Sequence, residues 1–452
     1  MNNISRNISA DGTSAAPSAY KIKRITLSNH KGKSLDIQNA VTKTVITESI
    51  YSNTLICKVS VRDETNLVQE FPLIGQEKLN IKMSSRNGND EKIIDLTFYI
   101  TEYPLFGRST NERVQAWSFS GISEHAYISK FKRISKSIKG PTSDAISDIF
   151  KSDLNSNKLV LGSTPITVFK GIINTQTPLS AAEWLRAKTY DDQQAPYYLF
   201  ETLKGEVHLK SHSDLISQDA YFDYIDSRHF NYEPNSKEDY LQRKHRILEI
   251  ASDLKMSKIF QAMNGAFASN NFYLDLSDKS FTSTQFSYNL ESNTLGKKKS
   301  FSPEFSIDNE TIDLKYDSHH EYISTNRFAY DEEYKNYNEL KKDSGGITQS
   351  YIENFETITH DVKLFGDFDL NAGTIIEINI PKATDPSVQR KVLTDKYGRF
   401  DKHLSGKYLI TSAIHTFENG DYFTNVKVKR DSFTIDLWLQ KTLYRMAASL
   451  LG

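Results

Sequence analysis

Two histidines four residues apart, His208 and His212 in VHLKSHS, are the first residues of this 452-residue chain whose types and spacing could do chemistry. On a strand an even separation puts both side chains on one face, where two imidazoles could bind one metal ion. Lys210 stands between them on that face, its ammonium repels a cation, and no third ligand follows at a metal-site spacing. The pair is therefore read as part of a solvent-facing strand. SHHEY, with His319 and His320, lacks the helical HExxH arrangement that sets two imidazoles and a general base around zinc. GDFDLNAG offers Asp367, Asp369 and Asn371 at the alternating positions of a calcium loop. Its glycine, Gly373, falls seventh instead of sixth, and Ile378 stands where a bidentate glutamate belongs, so a polar turn ahead of a strand is expected. The basic run KFKRISKSIKG from Lys130 reads as a solvated connection between elements. Neither a Walker loop, a GxGxxG nor a GxSxG occurs, and no pair of carboxylates stands apart for acid–base work. No catalytic residue, metal ligand or cofactor is assigned.

Composition narrows the class further. Lys and Arg number 56 against 57 Asp and Glu, for a formal charge of −1, which argues against a protein that binds by neutralising many phosphates. The chain is too long for one core, so two to four domains are expected. Its 24 Tyr and 25 Phe suit sheets, whose pleated surfaces large rings cover, and subunit contacts. Cys57 is the only cysteine, which excludes an intrachain disulfide and a thiolate-rich zinc site. Alternation with Leu55, Val59 and Val61 marks it as a small core residue on a strand. No apolar run approaches the ~20 residues of a membrane span. The opening, MNNISRNISADGTSAAPSA, lacks the apolar core of a signal peptide, so a polar mobile tail and a cytoplasmic site of synthesis are expected.

The elements that would position these residues are mostly strands. From Tyr20 to Ser123, IYSNTLICKVSVRD alternates, LIGQEKLNIKM puts Leu79 and Ile81 on one face, and IIDLTFYITEY is expected to pair with RVQAWSFSG. A second all-β unit spans Ile352 to Phe433, ending in a hairpin whose Asn419-Gly420 suits the two positive-φ positions of a type I′ turn. On its last strand Tyr422, Thr424, Val426 and Val428 form a dry face and Phe423, Asn425, Lys427 and Lys429 a wet one. Both units share an order of elements, which suggests a duplication. Between them, Thr142 is expected to cap a helix with an Ile146, Ile149, Phe150 and Leu154 stripe. Ser180 and Glu183 are expected to form the capping box of another, with Trp184 and Leu185 facing inward. A hairpin should turn at Lys204-Gly205. Met256, Ile259, Phe260, Met263 and Phe267 form a helical stripe ahead of a further hairpin. Leu290 to Thr348 reads as a polar insertion that orders against a partner. The closing stretch repeats Ile435, Trp438, Leu439, Leu443 and Met446 at helical spacing. It packs either on its own domain or on another subunit, which makes Trp438, Leu439, Leu443 and Met446 the candidate partner-binding residues.

The order of these parts resembles the central baseplate hub proteins of contractile T-even-type phage tails. More distantly it resembles the hub portion of type VI secretion spike proteins and phage late-control proteins. The likeness rests on SNTLICKVSVRDETNLVQEFPLIGQEKLNIKM, TPLSAAEWLRAKTYDDQQAPYYLFETLKGEVHLKSHSDLIS, FGDFDLNAGTIIEINIPK and GKYLITSAIHTFENGDYFTNVKVKRDS in combination. It implies a mainly β (α+β) fold: two similar antiparallel β-barrel tube domains, 20–125 and 352–433, joined by α+β connecting domains. The connecting parts would be 126–235 and 236–351, the latter with the polar insertion, flanked by a tail at 1–19 and a terminal amphipathic helix at 434–452.

The resemblance also implies a homotrimer without cofactors. Its pseudo-sixfold ring would join the sixfold tail tube, or a tube initiator, to the threefold central spike, meet other baseplate proteins, and let genomic DNA pass unbound. It would sit at the centre of the virion's tail baseplate after assembly in the host cytoplasm. Two other classes remain open on the residues alone: a tail-associated cell-wall hydrolase, and a β-rich receptor or glycan binder that stacks sugars on Tyr and Trp.

Overall fold

The computed structural model describes residues 17–431 except 65–70, 72–73, 88–89, 103–104, 109–114, 227–243, 255–257, 277–278, 288–304, 308–309, 313–318, 326–336, 382–399 and 402. The candidate partner-binding residues Trp438, Leu439, Leu443 and Met446 lie outside the described residues, as does Met256.

The first strands are β1 (Tyr20–Ser28), β2 (Ser34–Asp36), β3 (Val41–Ser49) and β4 (Ile56–Asp63). They are followed by β5 (Lys78–Asn87), β6 (Asp90–Ile100), β7 (Leu105–Arg108) and β8 (Gln115–Ser123). They form one sheet in the order β2-β1-β5-β6-β8-β4-β3, with β7 also on β8. Period-2 alternation builds it: on β4, Cys57, Val59 and Val61 are buried against Ile25, Leu79, Ile81 and Phe119 while Lys58 and Arg62 point outward. Burial pushes the Cys57 thiol well above its ordinary pKa, which leaves it a core residue. The expected pairing of β6 with β8 is present but short. These strands meet only from Phe98 to Ile100, because β6 is held along its length by β5 and β8 by β4.

The chain then mixes helices and small sheets: α1 (Glu124–Phe131), β9 (Ile134–Pro141), α2 (Thr142–Asp148) with a π-helical turn at Ile149–Asp153, β10 (Leu159–Leu161) and β11 (Val168–Gln176). Next come α3 (Pro178–Arg186), β12 (Tyr197–Glu201), β13 (Val207–Ser211) and α4 (His212–Ile216). The Ile146, Ile149, Phe150 and Leu154 stripe is buried, together with Leu185, Tyr197 and Leu209, and Trp184 packs against that core half-buried. Two caps differ from expectation. Thr142 is the first residue of α2, and its hydroxyl meets Thr189 at 2.9 Å instead of capping. The α3 cap is Thr177, whose Oγ1 accepts from the Ser180 amide at 3.3 Å. Pro178 starts that helix earlier because its fixed φ suits the first helical position, and Glu183 pairs with Arg186 at 2.6 Å.

The remaining elements are β14 (Asp223–Asp226), β15 (Arg246–Leu254), α5 (Lys258–Met263), β16 (Ala268–Asp275), β17 (Ser280–Ser287), β18 (Phe305–Ile307) and β19 (Glu310–Ile312). They continue with β20 (His320–Thr325), α6 (Tyr337–Asn354), β21 (Ile358–Phe365), β22 (Ile375–Asn379), β23 (Gly406–Glu418) and β24 (Asp421–Arg430). Strands β23-β22-β14-β15-β21-β24 close into a barrel when β24 pairs back on β23. Its inside is Tyr224, Ile247, Val362, Leu364, Ile376, Ile378, Tyr408, Val426 and Val428. The barrel is not wholly antiparallel, since β14 runs parallel to both neighbours. Leu290 to Thr348 is corrected from a loop: β18 pairs with β19, β20 lies parallel to β16, and the segment runs on into α6.

The two sheets share one strand order, although β1 is antiparallel to β5 whereas its counterpart β14 is parallel to β22. Numbered by chain position within each unit, β1-β5-β6-β8-β4-β3 and β14-β22-β23-β24-β21-β15 both have the spatial order 1-4-5-6-3-2. They differ in closure. The second is closed by β14 on β15, whereas the first is fastened at both margins to the β23–β24 hairpin. There β3 pairs along β23 from Ser412 to Glu418, and the residue before β1, Ala19, bridges Asp421. The hairpin turn has φ of 53° at Asn419 and 85° at Gly420, as a type I′ turn requires. Tyr422, Thr424, Val426 and Val428 are its dry face. Lys429, expected on the wet face, is buried, with its ammonium 2.7 Å from Glu356 and over the Tyr51 ring.

Candidate functional site

Where the two sheets meet, buried polar groups converge on one carboxylate. Glu48, on β3, is 1% exposed. Its Oε2 accepts from the Leu203 amide at 2.7 Å, and its Oε1 from the Ala372 amide at 2.9 Å and from His415 Nε2 at 3.1 Å. Leu203 belongs to the turn between β12 and β13, Ala372 to the loop before β22, and His415 to β23. One side chain therefore ties the first sheet to the connecting hairpin and to the second barrel. His415 Nδ1 in turn lies 2.8 Å from the Tyr422 hydroxyl, so the network ends in a satisfied group. Leu203 and Phe368 extend into the core of the first sheet beside Phe417 and Tyr422, sealing it from this side.

A second carboxylate repeats the device. Glu201, at the end of β12, accepts from the Leu55 amide at 2.8 Å. Nearby, His125 Nε2 stands 3.0 Å from the Asn53 carbonyl oxygen and 3.5 Å from Glu201. Burial raises the Glu201 pKa, and His125 and the Leu55 amide offset part of that rise. Around GDFDLNAG the expected polar turn is present. Asp367 accepts from the Tyr221 hydroxyl at 3.0 Å and the Asp369 amide at 3.1 Å, while Asp369 pairs with Lys204 at 2.9 Å and with Lys92 on β6. Its carboxylates thus serve as a clamp between units. The basic run is partly neutralised, with Lys136 held at 2.6 Å by Asp153 and 3.0 Å by Asp148. Among the described residues no group of three His, Cys, Asp or Glu could hold a metal ion, and no helix is long and apolar enough to cross a membrane.

The histidine pair is corrected. His208 lies half-buried on β13 against Phe200, but His212 is the first residue of α4 and is 1% exposed, set among Tyr198, Tyr351 and Phe355. The period changes from strand to helix at Ser211, whose hydroxyl caps the Asp214 amide while Asp214 bonds back to the Ser211 amide. The S-x-x-D spacing of Ser211 and Asp214 is the signal that would have revealed this. His319 is also a structural contact, its Nδ1 3.0 Å from the Met263 carbonyl oxygen.

Burial holds His212 at a pKa of about 4, burial and Lys210 hold His208 at about 4, and burial and Arg430 hold His360 at about 4. The unfolded chain takes up these protons near the ordinary value of 6.5, the folded chain only near 4. Their contribution is complete above about pH 6.5 and is lost as pH falls toward 4. The slope is at most ~1.4 kcal/mol per pH unit for each imidazole. Glu201 acts in the opposite sense, because its raised pKa lets the folded state bind a proton more readily. We expect a thermal midpoint that falls between pH 7 and pH 5, and a smaller fall in His212→Leu. Equal midpoints at the two pH values would show these rings to be hydrated.

No family model and none of the curated proteins matches the sequence. The fold itself is that of phage tail proteins. The tail protein from Neisseria meningitidis MC58 superposes with a TM-score of 0.53, covering 92% of this chain and 98% of its own, at 11% identity. The 43 kDa tail protein of prophage MuSo2 from Shewanella oneidensis superposes with a TM-score of 0.50 over 90% of this chain and 97% of its own, at 12% identity. Prophage tail protein gp18 from Listeria monocytogenes EGD-e covers 95% of this chain and 100% of its own with a TM-score of 0.44 and 8% identity.

Proposed function

We propose that this chain is the structural hub at the centre of a contractile phage tail baseplate. The observation that carries the reading is the repeated strand order on a tail-protein fold: each chain presents two units of one strand order, joined edge to edge through β3 and β23. Three such chains would set six similar units in a ring, which meets a sixfold tube on one side and a threefold spike on the other by symmetry alone. The buried tethers around Glu48, Glu201 and Asp369 suit that task, since they fix the units of one chain relative to each other. The near-neutral charge suits a lumen through which DNA slides without being held. The partners are two further copies of the chain, a central spike, a tail tube or tube initiator and other baseplate proteins, and the site is the virion. The role is assembly and not catalysis.

The test is the mass of the purified chain in solution by light scattering, alone and with its cognate spike. The expected result is a species near three times 51.6 kDa, formed alone or on addition of the spike. A chain that stays monomeric with its spike would overturn the ring.

A further inference from the structure

We propose that the cleft between the β12–β13 hairpin and the loop ahead of β22 binds a small polyhydroxylated monocarboxylate, the chemistry of a uronic acid. The cleft has a volume of about 420 Å³ and is lined by Lys204, Glu206, His208 and Lys210 on the hairpin side and by Asp369 and Thr374 on the other. That size suits one small molecule. Period-2 alternation builds the charged wall: Val207 and Leu209 are buried in the core beneath β13, so His208 and Lys210 face the other way. The opposite wall is held by its own hydrogen bonds. The Gly373 amide donates to the Ile410 carbonyl oxygen at 2.8 Å, the Thr374 amide to that of Asn371 at 3.2 Å, and Gln218 Nε2 to that of Gly373 at 3.0 Å.

The charges in the lining select the ligand. Asp369 is shared by Lys204 and Lys92, and Glu206 lies 3.5 Å from His208 Nε2. Burial, Lys210 and Lys204 keep that imidazole neutral at neutral pH, so three ammonium groups stand against two carboxylates. The one left over is Lys210, whose side chain has no hydrogen-bond or ion-pair partner among the described residues. A single carboxylate restores neutrality, in a partly enclosed cleft where its attraction to an ammonium exceeds that in open water. The remaining groups suit hydroxyls. Glu206 accepts hydrogen bonds, and the Thr374 hydroxyl, also without a partner among the described residues, donates or accepts. Tyr221 lines the cleft as well, tied through its hydroxyl to Asp367 at 3.0 Å, and brings an apolar ring to it. Phosphate is the poorer match, because it is usually cradled by several backbone amides. Here the amides of Ala372, Gly373 and Thr374 are spent on Glu48, Ile410 and Asn371. This contact is additional to assembly and does not depend on the ring.

The experiment is a calorimetric titration of the full chain at neutral pH with galacturonate, galactose and acetate. Galacturonate should bind saturably, with galactose, which lacks the carboxylate, and acetate, which lacks the hydroxyls, each at least ~10-fold weaker. No binding of galacturonate, equal binding of either simpler compound, or tighter binding of inorganic phosphate would overturn the proposal. Lys210→Met keeps the apolar stem and should lower the affinity to that for galactose, while Lys210→Arg should retain most of it. Lys151→Met, on the exposed side of the π-helical turn and outside the cleft, should change nothing. Parental affinity in Lys210→Met would refute the site, and the comparison of ligands on the parent chain decides the matter even where a variant fails to fold. Trigalacturonate separates the two sources of this chemistry: binding comparable to the monomer's supports a unit of an acidic polysaccharide, and exclusion of the trimer supports a free sugar acid.

Discussion

Replacing Glu48 with alanine is expected to cost about 3–5 kcal/mol, the usual penalty for breaking a buried hydrogen-bonded charge contact by removing one partner. The size follows from what is stranded: the Leu203 and Ala372 amides and His415 Nε2 all donate to this carboxylate at 3.1 Å or less. None can turn to water, because the site is closed over by Leu203, Phe368 and Tyr422, which are at most 3% exposed. Orphaning a buried donor costs its full desolvation penalty. Glu48→Gln retains one acceptor oxygen but directs its amide protons at the remaining donors, so an intermediate loss is expected. Urea denaturation followed by circular dichroism would measure both. An alanine variant within ~1 kcal/mol of the parent would mean that the junction is hydrated or that the units are held together elsewhere.

Gly366→Ala should be nearly as harmful for a steric reason. A Cβ at that position would sit 2.1 Å from Cγ of Tyr422 and 2.2 and 2.3 Å from its two Cδ atoms, against the Cγ end of the ring. The ring cannot withdraw: Tyr422 is fully buried, stacked on Phe417 at 4.2 Å and bonded through its hydroxyl to His415. Nor can the backbone easily move, since the Gly366 amide donates to the Tyr422 carbonyl at 2.9 Å and extends the β21–β24 ladder. Overpacking a rigid core typically costs 1–3 kcal/mol, and about 3 kcal/mol is expected here. The same urea titration tests it, and a variant as stable as the parent would show that the strands can separate at this point. Tyr422→Leu in the Gly366→Ala background should recover part of the loss by making room, although it gives up the bond to His415.

Local signals in the sequence carried much of the fold. Asn419-Gly420 specified its hairpin turn, the alternation around Cys57 specified a buried strand face, and the 146–154 stripe specified a buried helix side, because each depends on residues within a few positions. Mainly β architecture and a repeated order of elements were also legible. The junction was not: the partners of Glu48 lie 155, 324 and 367 residues away, and spacing carries no information over such separations. The side on which the α5 stripe lies was not legible for a related reason. Periodicity shows that a helix has an apolar side but not which side the rest of the molecule covers, and there Ala262 is buried while Ile259, Phe260 and Met263 are exposed. His212 was misread because a strand period was carried one residue past the cap at Ser211.

The fastening of the first sheet to the last hairpin also sets an order of events during synthesis. The Ser18 hydroxyl donates to Asp421 at a separation of 403 residues, and β3 finds its outer neighbour only in β23. On the ribosome, the first hundred residues therefore emerge long before the strand that completes them. Until then β3 offers an open edge to any other nascent chain, and closure waits on one of the longest-range pairings the polypeptide can make. The amino-terminal unit is thus expected to complete its sheet only once β23 has been made, and chaperones have most reason to engage it during that interval.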